Sequence, residues 1–115
     1  MSGTIPGGLS VANDVIADMA GYAALESYGV VGMASPTLSD GIAKLLPANR
    51  LRKGIEIAMT EKGVHVDLYV IIEHGTNLAE VSRMLAEKVE FVLKDSAQVS
   101  VDAVNVHVQG IKVRD

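Results

Sequence analysis

Hydrophobic and polar residues alternate with a period of two in two segments of the chain. In VHVDLYVIIEHG, residues 64–75, every second side chain from Val64 to Ile72 is aliphatic. The segment VDAVNVHVQGIKV, residues 101–113, repeats this pattern until Gly110, which predicts a bulge or bend. Because successive side chains of a strand point to opposite sides of its sheet, both segments are predicted to be strands with one buried face. GIEIAMT precedes the first strand across the short connection EKG, which predicts a β-hairpin.

Two longer segments carry apolar residues at helical spacing. In the first, Ser10 or Asn13 is expected to cap the helix, and its small residues allow another backbone to approach closely. Its apolar stripe consists of Val15, Ile16, Met19, Ala23 and, offset, Tyr22. The second helix opens with Asn77 and Glu80 at the spacing of a capping box. Its stripe consists of Leu78, Val81, Leu85, Val89 and Val92.

Shorter elements fill the rest of the chain. Gly29 is expected to end the first helix, and the β-branched run that follows predicts a short buried strand over residues 30–34. A two-turn helix ended by Pro47 is predicted next, from the apolar residues Leu38, Ile42, Leu45 and Leu46. Residues 1–8 show no apolar period, so they are predicted to be a disordered tail before one domain over residues 9–115.

This order of elements predicts an α+β fold of two layers, with a mixed sheet of about four strands and the helices packed on one face. The other face of the sheet is left to solvent or to a partner. It is predicted to carry Glu56, Thr60, His65, Asp67, Tyr69, Ile71, Asn105, His107 and Gln109. Tyr69 and Ile71 add apolar bodies to a polar surface, a mixture typical of protein contact surfaces.

Composition narrows the classes of function. The net charge of −4 argues against a general affinity for nucleic acid, since such binding depends on a basic surface. The absence of cysteine excludes a disulfide framework and fits a reducing cytoplasm. No segment approaches the run of about 20 apolar residues that crosses a bilayer, so neither a membrane span nor a secretory leader is expected.

Three motifs invite a chemical interpretation. Gly29 and Gly32 have the spacing of the clamp in KH-type RNA-binding domains, but the two valines between them favour a buried strand. His65, His74 and His107 raise a metal hypothesis, although solvent-facing strand histidines explain them as well. An acid–base pair of Glu73 and His74 lacks a nucleophile or a phosphate loop beside it, so no enzymatic activity, small-molecule substrate or cofactor is expected.

A basic group consisting of Arg50, Arg52 and Lys53 follows Pro47 in a predicted loop. These residues could meet an anionic partner such as a phospholipid surface, or they could form an ordinary solvated surface. Attraction to anionic lipid supplies only about 1 kcal/mol for each charge, which makes a weak anchor. The basic group is therefore expected to be a secondary contact.

The chain as a whole resembles the alkaline shock protein twenty-three family, also called the general-stress twenty-four type, of bacterial envelope stress response proteins. The resemblance runs from about residue 11 to residue 114. It is carried by ANDVIADMAGYAALESYGVVGMAS, RKGIEI, VHVDLYVIIEHGTNLAEVSRMLAEKVEFVL and VDAVNVHVQGIKV. The chain looks like the minimal, single-domain version of the family. It departs from the family pattern at Ala12, where many relatives have a serine that would cap the helix.

The resemblance implies a non-enzymatic cytoplasmic protein that self-associates and that, in some members, is held at the inner face of the cell membrane by a separate anchoring protein. It implies no catalytic residue. Combined with the open sheet face, it favours an adaptor or assembly module that works through protein contacts. The expected contact residues are Tyr69, Ile71, Asn105 and His107, with Arg50, Arg52 and Lys53 as a secondary contact. A KH-like RNA-binding module is the alternative.

Overall fold

The computed structural model describes residues 6–38 and 40–113, and of residues 6–12 it describes the backbone alone. Two α-helices, a 3₁₀ helix and four strands follow one another along these residues. In chain order they are α1 (Pro6–Leu25), β1 (Val30–Met33), the 3₁₀ helix (Ala48–Gly54), β2 (Ile55–Thr60), β3 (Gly63–Glu73), α2 (Leu78–Asp95) and β4 (Val101–Lys112). The predicted α+β class is confirmed, as is the predicted hairpin, which is formed by β2 and β3.

The sheet is built around β3, the strand that pairs with all three others. On one edge β2 pairs antiparallel with residues 63–68 of β3, and β1 pairs antiparallel with residues 70–72 further along. On the other edge β4 runs parallel to β3 over almost its whole length. The connection between these parallel strands contains α2, as parallel pairing requires. The sheet is therefore mixed, as the order of elements predicted.

The core lies between the sheet and the two α-helices. Alternate residues of β3, from Val64 to Ile72, are fully buried on this side. From α2 the buried residues are Val81, Leu85, Val89 and Leu93, so the predicted stripe is confirmed at its centre, while Leu78 at its start is exposed. The predicted cap is also confirmed, because the Oδ1 atom of Asn77 accepts a hydrogen bond from the backbone N–H of Glu80 at 3.0 Å.

The helix α1 packs through only part of the predicted stripe, since Ile16 and Ala23 are buried and Met19 contacts the core. Its buried side chains are Ile16, Ala17, Ala20, Ala23 and Ala24. Val15 and Tyr22, which were expected in the stripe, are exposed. Small residues let a helix lie close to its neighbours, and this advantage outweighs the larger apolar area of valine and tyrosine here.

The start of α1 also differs from the prediction. The helix begins at Pro6, so residues 6–8, which were assigned to the tail, belong to it, and residues 1–5 lie outside the described residues. Ser10 and Asn13 are inside the helix and do not begin it. Proline in the first turn is compatible with a helix because its missing N–H would have no intrahelical partner there.

The predicted two-turn helix before Pro47 is wrong. Residues 35–47, which we call the covering loop, form no helix over the residues described. Asp40 and Gly41 have positive φ angles of 55° and 73°, and two consecutive left-handed residues break a right-handed helix between Leu38 and Ile42. The loop instead pairs with the end of β1 through a bridge between Ala34 and Leu45.

Candidate partner-binding surface

The parallel pairing of β3 and β4 determines which polar side chains meet on the open face of the sheet. Asp67 lies opposite Asn105, and Tyr69 lies opposite His107. His65, two residues before Asp67, is on the same face. On the other side of β3, Glu56 of β2 lies opposite Asp67. We call these six residues, Glu56, His65, Asp67, Tyr69, Asn105 and His107, the polar cluster.

Asp67 is the centre of the polar cluster. The Nε2 atom of His107 donates a hydrogen bond to its Oδ1 atom over 2.8 Å, and the Nε2 atom of His65 lies 3.6 Å from its Oδ2 atom. The Nδ2 group of Asn105 donates to the Nε2 atom of His65 over 2.9 Å and lies 3.5 Å from Oδ1 of Asp67. The Asp67 carboxylate therefore holds the side chains of His107 and Asn105 from β4, and Asn105 in turn holds His65.

These contacts alter how Asp67 titrates. The hydrogen bond from His107 lowers the pKa of the Asp67 carboxyl below its usual value, and contacts with Asn105 and His65 act in the same direction. Partial burial opposes them, because it disfavours the charged form. The Asp67 side chain is 24% exposed, so its charge is only partly screened by water. Asp67 is thus held as a carboxylate in a defined position.

Tyr69 extends the polar cluster toward β2. Its ring stacks on the imidazole of His107, with 4.5 Å between the ring centroids and 12° between the planes. Its hydroxyl donates a hydrogen bond to Oε1 of Glu56 over 3.0 Å, and this bond is the largest cause of the raised pKa of Tyr69. Tyr69 is therefore held both by its ring and by its hydroxyl group, on a surface that is partly exposed to solvent.

The polar cluster consists of carboxylate, imidazole, phenol and amide side chains, without serine, threonine, cysteine or lysine. Among the described residues, no group of three or more His, Cys, Asp or Glu side chains is placed to hold a metal ion. His74 lies in the turn after β3, at the opposite end of that strand from His65. The three histidines of the metal hypothesis are therefore not gathered at one point.

The expected exposure of Ile71 is wrong. Ile71 lies on the open face of β3 but is only 3% exposed, because the covering loop passes over it. Its neighbours across the sheet are Gly32 of β1 and Gly110 of β4. These two glycines leave room for the loop: a Cβ atom on Gly32 would lie 2.7 Å from Cδ2 of Leu45, and one on Gly110 would lie 3.0 Å from Cβ of Ala43.

The two glycines that resembled an RNA clamp have separate structural roles. Gly29 has a φ angle of +83°, which a residue with a side chain rarely adopts, and it ends the turn that leads from α1 into β1. Gly32 lies within β1, under Leu45. A KH clamp needs a loop between two helices, and residues 29–32 are not such a loop. These residues therefore do not form the clamp that the KH-like alternative requires.

The basic group lies outside the polar cluster. Arg50, Arg52 and Lys53 belong to the 3₁₀ helix, where a loop was predicted. Arg52 donates two hydrogen bonds to the carboxylate of Asp18 in α1, at 2.7 and 2.8 Å. Its third nitrogen lies 3.5 Å from Asp14. Because the positive charge of Arg52 is matched by two aspartates of the helical layer, the basic group is weaker than expected and is separate from the polar cluster.

Sequence reasoning selected Tyr69, Asn105 and His107, and the structure brings these three together. It did not select Glu56, His65 and Asp67 as site residues, although the period of two had placed them on the same face. The signal that would have identified them is the register between β3 and β4, which aligns Asp67 with Asn105. That register depends on contacts between residues about 40 positions apart.

Comparisons with known proteins identify relatives along almost the whole chain. The model of the alkaline shock protein twenty-three family, described as having a cell envelope-related function, matches residues 2–113. The Bacillus subtilis (strain 168) protein called uncharacterized protein YloU is 35% identical over 108 residues, which are 93% of this chain and 90% of that protein. Uncharacterized protein Spy1614 of Streptococcus pyogenes serotype M6 is 39% identical over 111 residues, which are 96% of this chain and 92% of that protein.

A solved structure shares the fold at low sequence identity. The MamM CTD in its cadmium form superposes with a TM-score of 0.51, covering 90% of this chain and 98% of that one, at 10% identity. At this identity the likeness concerns the fold alone. Among the helices of the described residues, none combines the length and the apolar character that crossing a membrane requires.

Proposed function

Because the chain belongs to the alkaline shock protein twenty-three family, whose function is related to the cell envelope, we propose that it acts as a non-enzymatic adaptor that binds another envelope protein. The observation that carries the proposal is the polar cluster, an ordered group of side chains on a sheet face that the helices do not cover. Tyr69, Asn105 and His107 would make the direct contacts. Asp67 would hold two of them in place.

Order within the polar cluster favours binding. A side chain that is fixed before a partner arrives loses less conformational entropy when the complex forms. His107 is held by both Asp67 and Tyr69, and Tyr69 is also held by Glu56. Tyrosine is also enriched among the residues that dominate interface energies, since it offers a large apolar ring and a polar tip. The cluster thus provides a small preorganised contact area with directional donors and acceptors.

The wider role that we propose follows the family. It includes envelope stress response, self-association and a cytoplasmic location at the inner face of the membrane through a separate anchoring protein. The basic group, with Arg50 and Lys53 as its two charges outside the Asp18 pair, would be a secondary contact. We assign no catalytic residue, cofactor, small-molecule substrate or nucleic acid to this role.

Site-specific cross-linking in bacterial cells tests the proposal. A photoreactive amino acid replaces Ala58, an exposed residue of β2 that lies opposite His65 and takes no part in the polar cluster. We expect a discrete cross-linked product with a protein of the envelope fraction. The same substitution at Ala79, an exposed alanine at the start of α2, is the matched control and should not give that product.

A second set of variants tests the role of the polar cluster itself. Tyr69→Ala and His107→Ala, each combined with the reporter at Ala58, should reduce the cross-linked product about tenfold or more, as removal of a central interface side chain does. Tyr22→Ala removes an exposed tyrosine from the helical layer and should leave the product unchanged. Equal yields from the Ala58 and Ala79 reporters, or a product insensitive to both cluster variants, would contradict the proposal.

A further inference from the structure

The aromatic residues of this chain are absent from its core. The sequence has three tyrosines, one phenylalanine and no tryptophan. Tyr28 is 68% exposed and Phe91 is 66% exposed, and both line one shallow groove between the end of α1 and the side of α2. Met84 lines the same groove, which has a volume of about 420 Å³. Large apolar side chains grouped on a surface in this way mark contact sites more often than scattered single residues do.

Four residues of α2 form the outer side of this groove. They are Met84, Glu87, Lys88 and Phe91, which we call the α2 stripe. Met84, Lys88 and Phe91 follow the i, i+4, i+7 spacing that places residues along one side of a helix. This side is distinct from the buried one, whose residues are Val81, Leu85, Val89 and Leu93. The helix α2 therefore has one apolar side in the core and a second, smaller apolar strip that faces solvent.

We infer that the α2 stripe binds the α2 stripe of a second copy of this chain, with the two helices antiparallel about a two-fold axis between Glu87 and Lys88. In an antiparallel pair with this axis, the numbers of any two facing residues have the same sum as those of Glu87 and Lys88. Met84 then faces Phe91 of the second copy, and Glu87 faces its Lys88. Because the axis is two-fold, each of these contacts is made twice, as in any isologous interface.

The occupant is identified by complementarity of both charge and shape. One acid and one base at adjacent positions match their own image after a two-fold rotation, so a second copy supplies the opposite charge at both positions. The methionine and the phenylalanine also match, since a flexible thioether packs well against an aromatic ring. Glu87 is held in position by Arg83, whose Nη1 atom donates to both of its carboxylate oxygens at 3.1 and 3.2 Å. Lys88 lies 3.7 Å from Glu26 and is half-buried.

This inference assigns a surface to the self-association in the proposed function and rests on that part of it alone. The surface belongs to the helical layer, opposite the polar cluster, so a dimer formed through α2 leaves both open sheet faces free for partners. The two proposals can therefore fail separately. Variants of the α2 stripe should change the mass of the protein in solution and not the cross-linked product at Ala58, while variants of the polar cluster should do the reverse.

Sedimentation velocity of the full chain over a wide range of concentration is the experiment. We expect a concentration-dependent monomer–dimer equilibrium, since the four residues of the stripe are far fewer than the roughly 20–30 residues per partner of a standard interface. Phe91→Ala should weaken the dimer about tenfold or more, because the two-fold axis doubles the loss of this aromatic contact. Because Phe91 is exposed, circular dichroism of this variant should remain that of the folded protein. A protein that stays monomeric at every concentration would overturn the inference.

Charge exchange tests the register of the two helices. Glu87→Lys alone would place two lysines of one copy opposite two lysines of the other, and Lys88→Glu alone would place acids opposite acids. Each variant should therefore be largely monomeric, since like charges facing each other across an interface disfavour it. A mixture of the two variants has opposite charges at every facing pair. We expect the mixture to recover the dimer as a heterodimer.

A matched control lies on another side of the same helix. Glu90 forms an ion pair with Lys94 at 2.6 Å, so Glu90→Lys breaks an intrachain pair on α2 as Glu87→Lys does, but outside the stripe. It should leave the dimer unchanged. Wild-type dimerisation of either single charge variant, or a mixture that stays monomeric, would contradict the antiparallel pairing even if a dimer exists.

Discussion

On one face of β3, Val66 and Leu68 are fully enclosed beneath the helices, whereas on the other face the intervening Asp67 and Tyr69 stay partly open to solvent. The first two side chains are aliphatic and interact with their neighbours through close packing without direction. The other two make hydrogen bonds or ring contacts of defined geometry, to His107 and Glu56. Residues one position apart thus serve different purposes: the covered face supplies most of the folding free energy, and the open face supplies a specific surface.

The difference has a physical origin in solvation. Removing aliphatic surface from water is worth about 25 cal/mol for each Å², and it requires no particular partner. A hydrogen bond replaces one that water would otherwise make, so its net contribution is much smaller. Replacing a residue on the covered face should therefore change stability far more than replacing its neighbour on the open face.

The largest expected effect comes from Leu68→Ala. Leu68 has no exposed surface, and a cavity in the packed layer between sheet and helices cannot be filled by water without further cost. We expect the free energy of unfolding, measured by urea titration, to fall by about 2–5 kcal/mol.

Tyr69→Ala is the comparison for this variant, because it removes a larger side chain from the next position of the same strand. It loses the stack with His107 and the hydrogen bond to Glu56. We expect a loss of about 1 kcal/mol. If Tyr69→Ala proved as destabilising as Leu68→Ala, the open face would be part of the core, and the division between the two faces would not hold.

An intermediate effect is expected from Asp67→Asn, which keeps the shape of the side chain and removes its charge. Hydrogen bonds to charged groups contribute more than neutral ones, so the variant should lose about 1–2 kcal/mol of unfolding free energy at pH 7. Asp102→Asn is the control on the same sheet, because the Asp102 carboxylate is exposed and water can replace the hydrogen bond that it accepts from the hydroxyl of Thr60 at 3.0 Å. The control should lose less unfolding free energy than Asp67→Asn.

The pH dependence of Asp67→Asn separates charge from shape. The pKa of Asp67 is lowered in the folded protein, chiefly by His107, so its stabilising contribution is fully present above the pKa of an unfolded aspartate, about 3.9. The contribution is lost as the pH falls through the lowered pKa of the folded state. The difference between wild type and Asp67→Asn should therefore shrink below about pH 4. A difference that kept growing as the pH fell below about 4 would refute this account.

Local periodicity was sufficient to predict the covered face of β3, whereas on its open face Ile71 is buried. The alternation from Val64 to Ile72 was confirmed residue by residue on the covered side, and the bulge at Gly110 appears as a shift of register against Ile71. The cap at Asn77 was also predictable, since a cap depends on a few neighbouring residues. These features are encoded within one element of secondary structure.

Features that depend on distant contacts were not predictable in the same way. The polar cluster requires the register of two parallel strands separated by α2, and no local pattern sets that register. The helical prediction before Pro47 failed because Leu45 and its apolar neighbours pack over Gly32 and do not form one side of a helix. The stripe of α1 was predicted only in part, because close packing of alanines turns Val15 and Tyr22 away from the core.

The smallest expected effect tests where the open face ends. Gln109 of β4 holds the start of the covering loop, since its Nε2 group donates to the carbonyl oxygens of Ser35 and Pro36 at 3.0 and 3.1 Å. Gln109→Ala should cost about 1 kcal/mol or less, because water can replace these bonds at a half-buried site.

The more informative measurement on Gln109→Ala is amide hydrogen exchange, which reports local opening. Exchange should become faster at Leu46, whose N–H donates to the carbonyl of Met33 at 2.8 Å where the loop meets β1, and should stay unchanged in the β2–β3 hairpin. Thr37→Ala alters the loop without touching the Gln109 bonds and should leave exchange as in the wild type. Faster exchange throughout the sheet would mean that the covering loop is an integral part of the core. A change confined to the loop would mean that the loop is a separate cover, which limits the open face at Ile71.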